Sequence, residues 1–393
     1  MDIIFLTNSI SPHQVPLCAA MARRLRDGSV MYIYTEPITE DRQKLGWSGV
    51  SAEKALKISQ FTKGCESRVV ENCQVLLADI RDVRLFERRA EKGLITLYIS
   101  ERWFKPPIGI LRMLHPKYFV MAWKFVKLLR CSDKLVYLSQ GIHASRDMAR
   151  LCGLFVGDLR CLFRAPKLDF EHKPGGRIYL ASSSLQLPTT TTTKYCLDKM
   201  RMWGYYVEPS KFDALPVQEA SDVVRVLWVG RLLNLKRVDT IVRAVGEHAN
   251  LKRVDNSLPK ITLDIYGSGP EEKRLKKMAA KYGDCIKFYP PVPIAKVRKL
   301  MREHNVYVLS SNAYEGWGAV VSEAIEEGMK VVGTYEAGSS ATILPKECLF
   351  HAGDYAALIK LLQKSNMLPS VGNETWAAEN AADALIHMIG GKL

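Results

Sequence analysis

The sequence predicts an α/β protein built from two Rossmann-like, doubly wound domains. Short apolar runs alternate with helical patterns through both halves, an order that yields mainly parallel sheets covered on both faces. A chain of 393 residues is long for one domain and comfortable for two, each with its own core. Between Ala181 and Thr193 the periodicity gives way to Ser, Thr, Leu, Gln and Pro, ending in five consecutive threonines. This stretch reads as an exposed loop or insertion. The expected domains are 1–208 and 223–374, joined by a linker over 209–222 and followed by a last helical segment over 375–393.

Each element has its own signal. Asp2 to Thr7 is a buried-strand pattern, followed by a loop with Ser11, Pro12 and His13. A helix is expected from Val15 to Leu25, with Pro16 tolerated in its first turn. Asp27 and Gly28 mark a turn before a strand over Val30–Thr35. Further strands are expected at Gln74–Leu77, Leu94–Ile99 and Lys134–Leu138. The second half opens with Val223 to Val229, apolar almost throughout and therefore a central parallel strand. A loop over Gly230–Lys236 leads to an amphipathic helix near Val238–His248. Ile261–Tyr266 is the next strand, broken by Gly267-Ser268-Gly269-Pro270 before a basic helix over Glu271–Lys281. Ile286–Tyr289, Val306–Leu309 and Lys330–Val332 continue the series, and Thr375–Ile389 is helical in pattern.

Composition narrows the class. Apolar residues make up 47% and charged residues 25%, which excludes global disorder. No run of eighteen apolar residues predicts a spanning helix, and the first residues lack the pattern of a signal peptide. Nine cysteines without CxxC or Cys/His spacing argue against a disulfide scaffold and a structural zinc site. A cytoplasmic protein is the expectation. The net charge of +15 admits nucleic acid, anionic membrane or a phosphorylated ligand.

In open α/β sheets ligands bind beyond the carboxyl ends of the strands. Three groups of the second half fall there: Gly230-Arg231, Gly267-Ser268-Gly269, and Ser310 to Gly318. Arg231 and Lys236 flank a turn at a helix start, where two cations and backbone N–H groups suit a diphosphate and its departure. Glu315 precedes Gly316 and Gly318, which permit close backbone approach. Glu323 follows eight positions later, roughly two helical turns on. Two such carboxylates suit two separate sets of hydroxyls. Glu323 also sits among Val320, Val321, Ala324 and Ile325, so partial burial is expected.

The ordered elements Val229-Gly230-Arg231…Lys236-Arg237-Val238-Asp239, Tyr266-Gly267-Ser268-Gly269-Pro270 and Glu315…Glu323 resemble the donor-binding domain of the family 4 glycosyltransferases, over roughly residues 223–343. The resemblance implies the GT-B fold, with two domains facing across a cleft and the helix over 375–393 crossing back to the first domain, and a retaining transfer from a nucleoside-diphosphate sugar without metal or other cofactor. It implies that Arg231 and Lys236 bind the diphosphate, that Glu315 meets the sugar, and that Glu323 holds the ribose. Gly318, Ala319 and Val320 would donate backbone N–H groups, Gly230, Gly267, Ser268, Gly269, Gly316 and Trp317 would complete the donor site, and Pro291 and Val292 would face the base. The acceptor would be a glycan or a lipid-linked sugar in surface polysaccharide or glycoconjugate synthesis. Two other functions share such a scaffold: a non-catalytic nucleotide-sugar-binding protein of an assembly complex, and a nucleotide-sugar epimerase.

The first domain departs from the family's commonest pattern. Its first loop reads Asn8-Ser-Ile-Ser-Pro-His-Gln14 rather than glycine-rich, so His13 has two readings, a donor or acceptor contact and an ordinary loop histidine. Glu101, at the strand end Tyr98-Ile-Ser-Glu101, orients the acceptor or sugar, or else pairs with Arg102 or another neighbour. From Arg102 to Cys131 there is no acidic residue, while seven Lys and Arg interleave with aromatics. Such a segment suits peripheral contact with an anionic membrane over 102–130, or a core helix with solvated lysines. Nothing resembles a nucleic-acid reader, so nucleic acid is not an expected partner.

Overall fold

A computed structural model describes residues 2–25, 29–40, 57–61, 65–155, 196, 198–208, 210, 223–372 and 377–390. The Ser/Thr-rich segment 181–193 and the linker 209–222, apart from Ser210, lie outside the described residues. The chain's contacts divide it into two compact units, which change over at Glu208–Pro209 and again at Asn373–Glu374.

The first unit holds a parallel sheet ordered β3-β2-β1-β4-β5-β6-β7. Its strands are β1 (Ile3–Thr7), β2 (Val30–Tyr34), β3 (Lys57–Gln60), β4 (Val75–Ala78), β5 (Ile95–Ser100), β6 (Leu135–Gln140) and β7 (Met200–Trp203). The order reverses at β1 and β4, and the loops after those two strands meet there. β1, β4, β5 and β6 are buried along their whole length, as sequences apolar on both faces require. Helices α1 (Val15–Arg24), α2 (Cys65–Asn72), α3 (Val83–Glu91), α4 (Pro116–Cys131) and α5 (Gly141–Phe155) connect them. Arg89 of α3 is wholly buried, and its guanidinium donates to the carbonyls of Val70 (2.8 Å) and Ile95 (2.7 Å) and to Thr96 Oγ1 (3.0 Å). It ties α3 to α2 and β5 through neutral acceptors.

The second unit is a parallel sheet ordered β10-β9-β8-β11-β12-β13. The strands are β8 (Val223–Val229), β9 (Lys260–Tyr266), β10 (Ile286–Tyr289), β11 (Val306–Leu309), β12 (Lys330–Thr334) and β13 (Leu349–Phe350). Its helices are α6 (Val238–Val254), α7 (Glu272–Ala279), α8 (Ile294–Glu303), α9 (Val320–Glu326), α10 (Gly338–Ile343) and α11 (Tyr355–Gln363). Two expected helices change length. The helix at Val238 runs on to Val254, and the basic helix stops at Ala279, after which a tighter turn over Ala280–Tyr282 completes it.

The last helix, α12 (Ala378–Gly390), belongs to the first unit and packs against α1. Arg23 and Arg24 in the final turn of α1 pair with Glu379, and Arg24 also pairs with Asp383. Buried Ala381, Ala382, Leu385 and Ile389 supply the apolar face. No described helix is long and apolar enough to cross a membrane.

Candidate active site

At the carboxyl ends of β8, β9 and β10 the loops are joined backbone to backbone. Gly230 N donates to Tyr266 O (3.1 Å), Gly267 N to Tyr289 O (3.1 Å), and Leu232 N to Ser268 O (2.9 Å). Gly267 is there because nothing larger fits: a Cβ would lie 1.9 Å from Gly230 O. The glycines thus bring two strand-end loops into direct contact, with Arg231 exposed at their margin.

Beyond Arg231 the chain makes a short 3-10 turn over Asn234–Lys236, and Arg237 then adopts a left-handed conformation (φ 48°, ψ 40°). Such a conformation costs a non-glycine residue about 1 kcal/mol or more. A two-point bond from the Arg237 guanidinium to Asp239 (3.0 and 3.1 Å) holds it. The reversal starts α6 at Val238 and leaves Lys236 turned toward the loop after β11. Asn312 N donates to Leu235 O (2.9 Å), and Ser310 Oγ to Lys236 O (2.6 Å).

That loop carries Glu315. Its carboxylate is ion-paired with Lys236 and accepts a hydrogen bond from Ser311 Oγ at 2.9 Å. Thr334 Oγ1, at the end of β12, donates to Ser311 O (2.5 Å) and fixes the loop from below. Gly318 has φ +89°, and a Cβ there would press on Leu309 and Ser339. Ser339 clamps the same stretch, its N–H donating to Trp317 O and its hydroxyl to Gly318 O, both at 2.8 Å. Trp317 is buried beneath.

Glu315 and Glu323 do not share a helix. α9 begins at Val320, with Ala319 as its cap, so the two-turn spacing expected from sequence becomes a loop followed by one turn. Burial raises the Tyr307 hydroxyl far above its usual range, and the charges of Glu323 and then Glu315 add to that shift. Tyr307 itself donates to Val229 O at 3.3 Å, beneath the β8 loop. Glu323 is half-buried. Its neighbour Glu327 is wholly buried and pairs with Arg298 and Arg302 of α8, a bond that holds the two helices together. Pro291 and Val292 follow β10 in the segment before α8, exposed and half-buried respectively.

In the first unit, the loops after β1 and β4 are joined through Asp79. Its carboxylate accepts from Asn8 N (3.0 Å) and from the Gln14 side chain. Burial pushes this carboxyl up to about 7, helped by the charge of Glu101, although the bonds from Asn8 and Gln14 pull the other way. Sequence reasoning passed over Asp79. The signal that singled out Glu101, a carboxylate just past a strand end, applies equally to it. Ser311, four residues before Glu315, was also passed over. His13 lies in the same loop as Gln14, its ring 5.6 Å from that of Tyr205. Glu101 pairs with Lys105, and Arg102 with Asp147, whose carboxylate also accepts from Phe104 N (2.9 Å).

Two parallel-sheet, Rossmann-like units give the chain the GT-B fold, which it shares with solved glycosyltransferase structures. Residues 213–367 match the family model described as glycosyl transferases group 1. The chain is similar over its full length to the lipopolysaccharide outer core galactosyltransferase WaaB (12% identity, TM-score 0.63, 100% of both chains). It is likewise similar to HepE of Anabaena in complex with UDP (12% identity, TM-score 0.60, 100% of both chains). Among curated proteins, the GtfA subunit of the UDP-N-acetylglucosamine–peptide N-acetylglucosaminyltransferase of Streptococcus agalactiae is 27% identical over 155 residues, 37% of this chain and 29% of that one. A phosphatidylinositol N-acetylglucosaminyltransferase component from Arabidopsis thaliana is 24% identical over 172 residues, 43% of this chain and 37% of that one. The chain therefore matches roughly a third of the length of these relatives.

Proposed function

We propose that this chain is a retaining, metal-independent glycosyltransferase of family 4 that takes its sugar from a nucleoside diphosphate. The observation that carries the reading is the Lys236–Glu315 ion pair at the strand ends of the second unit, inside the segment that matches the group 1 model and eight positions before Glu323. The donor is read as a UDP-sugar, because UDP-N-acetylglucosamine appears in the name of a relative aligned to this chain and HepE was solved with UDP.

In this reading Arg231 and Lys236 hold the diphosphate, with the first N–H groups of Gly318, Ala319 and Val320. Glu315 orients the sugar hydroxyls, and Glu323 binds the ribose. The bond between C1 of the sugar and the β-phosphate oxygen breaks, and that oxygen keeps the electron pair. The acceptor hydroxyl attacks C1 on the same face, and its proton passes to the departing phosphate. Cations and oriented N–H groups stabilise the charge as it develops. Lys236 and Arg231 supply the positive charge that a metal supplies elsewhere, so turnover should survive chelation. The acceptor is a glycan or a lipid-linked sugar, met through the first unit with His13 and Glu101 nearby and with peripheral contact to a membrane through 102–130.

Thermal unfolding with UDP, GDP and ADP in separate samples tests the donor site. A ligand at about 100 times its Kd adds about 2.7 kcal/mol and raises the midpoint visibly. The expected result is a rise with UDP that disappears in Glu323→Ala. No rise with any nucleoside diphosphate would sink the reading.

A further inference from the structure

Helix α4 buries a narrow stripe, Ala122, Phe125, Val126 and Leu129, and that stripe completes the core on its side of the first unit. Its outer face remains apolar. Phe119, Val120 and Trp123 are 42%, 48% and 45% exposed, and the 3-10 turn over Gly109–Leu114 with its cap adds Ile108, Leu111 and Leu114 at 52%, 61% and 80%. These are six of the eleven large apolar side chains exposed among the described residues. Such a concentration is not ordinary surface scatter, and it marks a surface that meets something.

Charge identifies the occupant. Of the seven cations between 102 and 130, Arg102 is matched by Asp147 and Lys105 by Glu101. Five others, Arg112, Lys117, Lys124, Lys127 and Arg130, ring the apolar face, and no acid lies on the segment. Lys127 also sits 5.5 Å above the Trp123 ring, an apolar body with a charged tip. Two grooves of about 500 and 510 Å³ lie on either side of the helix start, sharing Lys117 and Met121. The first is lined by Ile108, Leu111, Tyr118 and Met121 together with the basic side chains of Arg112, His115 and Lys117. Tyr118 is fixed there by a 2.6 Å bond to Trp103 O, so this wall is part of the fold. The second includes one carboxylate, Asp82, which is engaged as the cap of α3 by Leu85 N (3.0 Å).

We propose that the corner between the Gly109–Leu114 turn and α4 is a seat for an anionic phospholipid at a bilayer surface. Leu111 and Leu114 enter the acyl region, the groove beside Met121 takes an acyl chain, and Arg112 and Lys117 hold the phosphate. This deepens the peripheral membrane contact proposed above and names its atoms. A flat acidic protein would satisfy the cations, but it would leave the three exposed aliphatic side chains Ile108, Leu111 and Leu114 and the apolar groove beside them unfilled. A bilayer fills both.

The test is co-sedimentation of the full chain with vesicles of phosphatidylcholine alone, and of phosphatidylcholine with phosphatidylglycerol. Retention is expected only with the second. Each cation near an anionic surface contributes roughly fivefold, so Lys117→Ala with Lys124→Ala should weaken retention roughly 25-fold. Leu111→Ser with Leu114→Ser should weaken it roughly tenfold or more. All four positions are at the surface, and an unchanged unfolding midpoint would show the variants folded. Equal retention on neutral vesicles would overturn the proposal. So would leucine variants that bind like the parent, because that result means charge attraction without a seat. The UDP response of the same preparations separates the two readings. Vesicle binding lost with that response kept removes only the lipid seat, and the reverse removes only the donor site.

Discussion

Lys236 and Glu315 are ion-paired across 79 residues of sequence, and Ser311 donates to the same carboxylate oxygen that the lysine meets. The pair joins the turn after β8 to the loop after β11, so each group holds the other in place before any ligand arrives. A diphosphate would draw Lys236 toward itself and release Glu315 to sugar hydroxyls.

Lys236→Ala should therefore lower kcat by about 100-fold or more, the cost of removing a group that stabilises developing negative charge. Steady-state turnover with a UDP-sugar checks it. An unchanged kcat would confine Lys236 to holding Glu315.

Gly267→Ala should act through packing. The added methyl would lie 1.9 Å from Gly230 O, a backbone atom that moves only if the strand-end loops separate. A loss of about 3 kcal/mol in chemical denaturation is expected, with a weakened UDP response beside it. Full stability in this variant would mean the two loops are not locked together.

Asp79 should make stability depend on pH. Its carboxyl is raised to about 7 by burial, against about 3.9 in an unfolded chain. The folded state therefore holds the proton more tightly, and this contribution is complete below about pH 4. It is lost as the pH rises toward and through 7. Asp79→Asn keeps an acceptor for Asn8 N and removes the titration. Denaturation midpoints of the variant should fall less than those of the parent between about pH 5 and pH 8. Parallel curves would show that Asp79 titrates normally.

The fold was legible where burial is two-sided. β8 and β11 match the expected spans residue for residue, because a central parallel strand is largely apolar on both faces, and β10, an edge strand, matches because Gly283 and Pro290-Pro291 bound it. Three strands escaped notice, β3, β7 and β13, and all three are at edges. β3 (Lys57-Ile-Ser-Gln60) has one aliphatic residue and β13 has two residues in all, so neither carries a period. The types of residue at the site were legible from strand ends and glycines. Their partnerships were not. The spacing from Glu315 singled out Glu323, which is half-buried near Tyr307, but nothing local showed that Glu327, four positions on, would be sealed against Arg298 and Arg302. That distinction depends on where α8 packs, which is long-range information.

The docking of α12 on α1 has a consequence for the order of folding. A ribosome releases the whole of the second unit before it releases the helix that the first unit still needs. Through that interval α1 displays the apolar strip meant for Ala381, Leu385 and Ile389, with Arg23 and Arg24 beside it and their carboxylates not yet made. The nascent chain thus carries an unfinished first half while its second half is already complete. Chaperone demand should peak in the interval after the second unit has emerged and before α12 follows it.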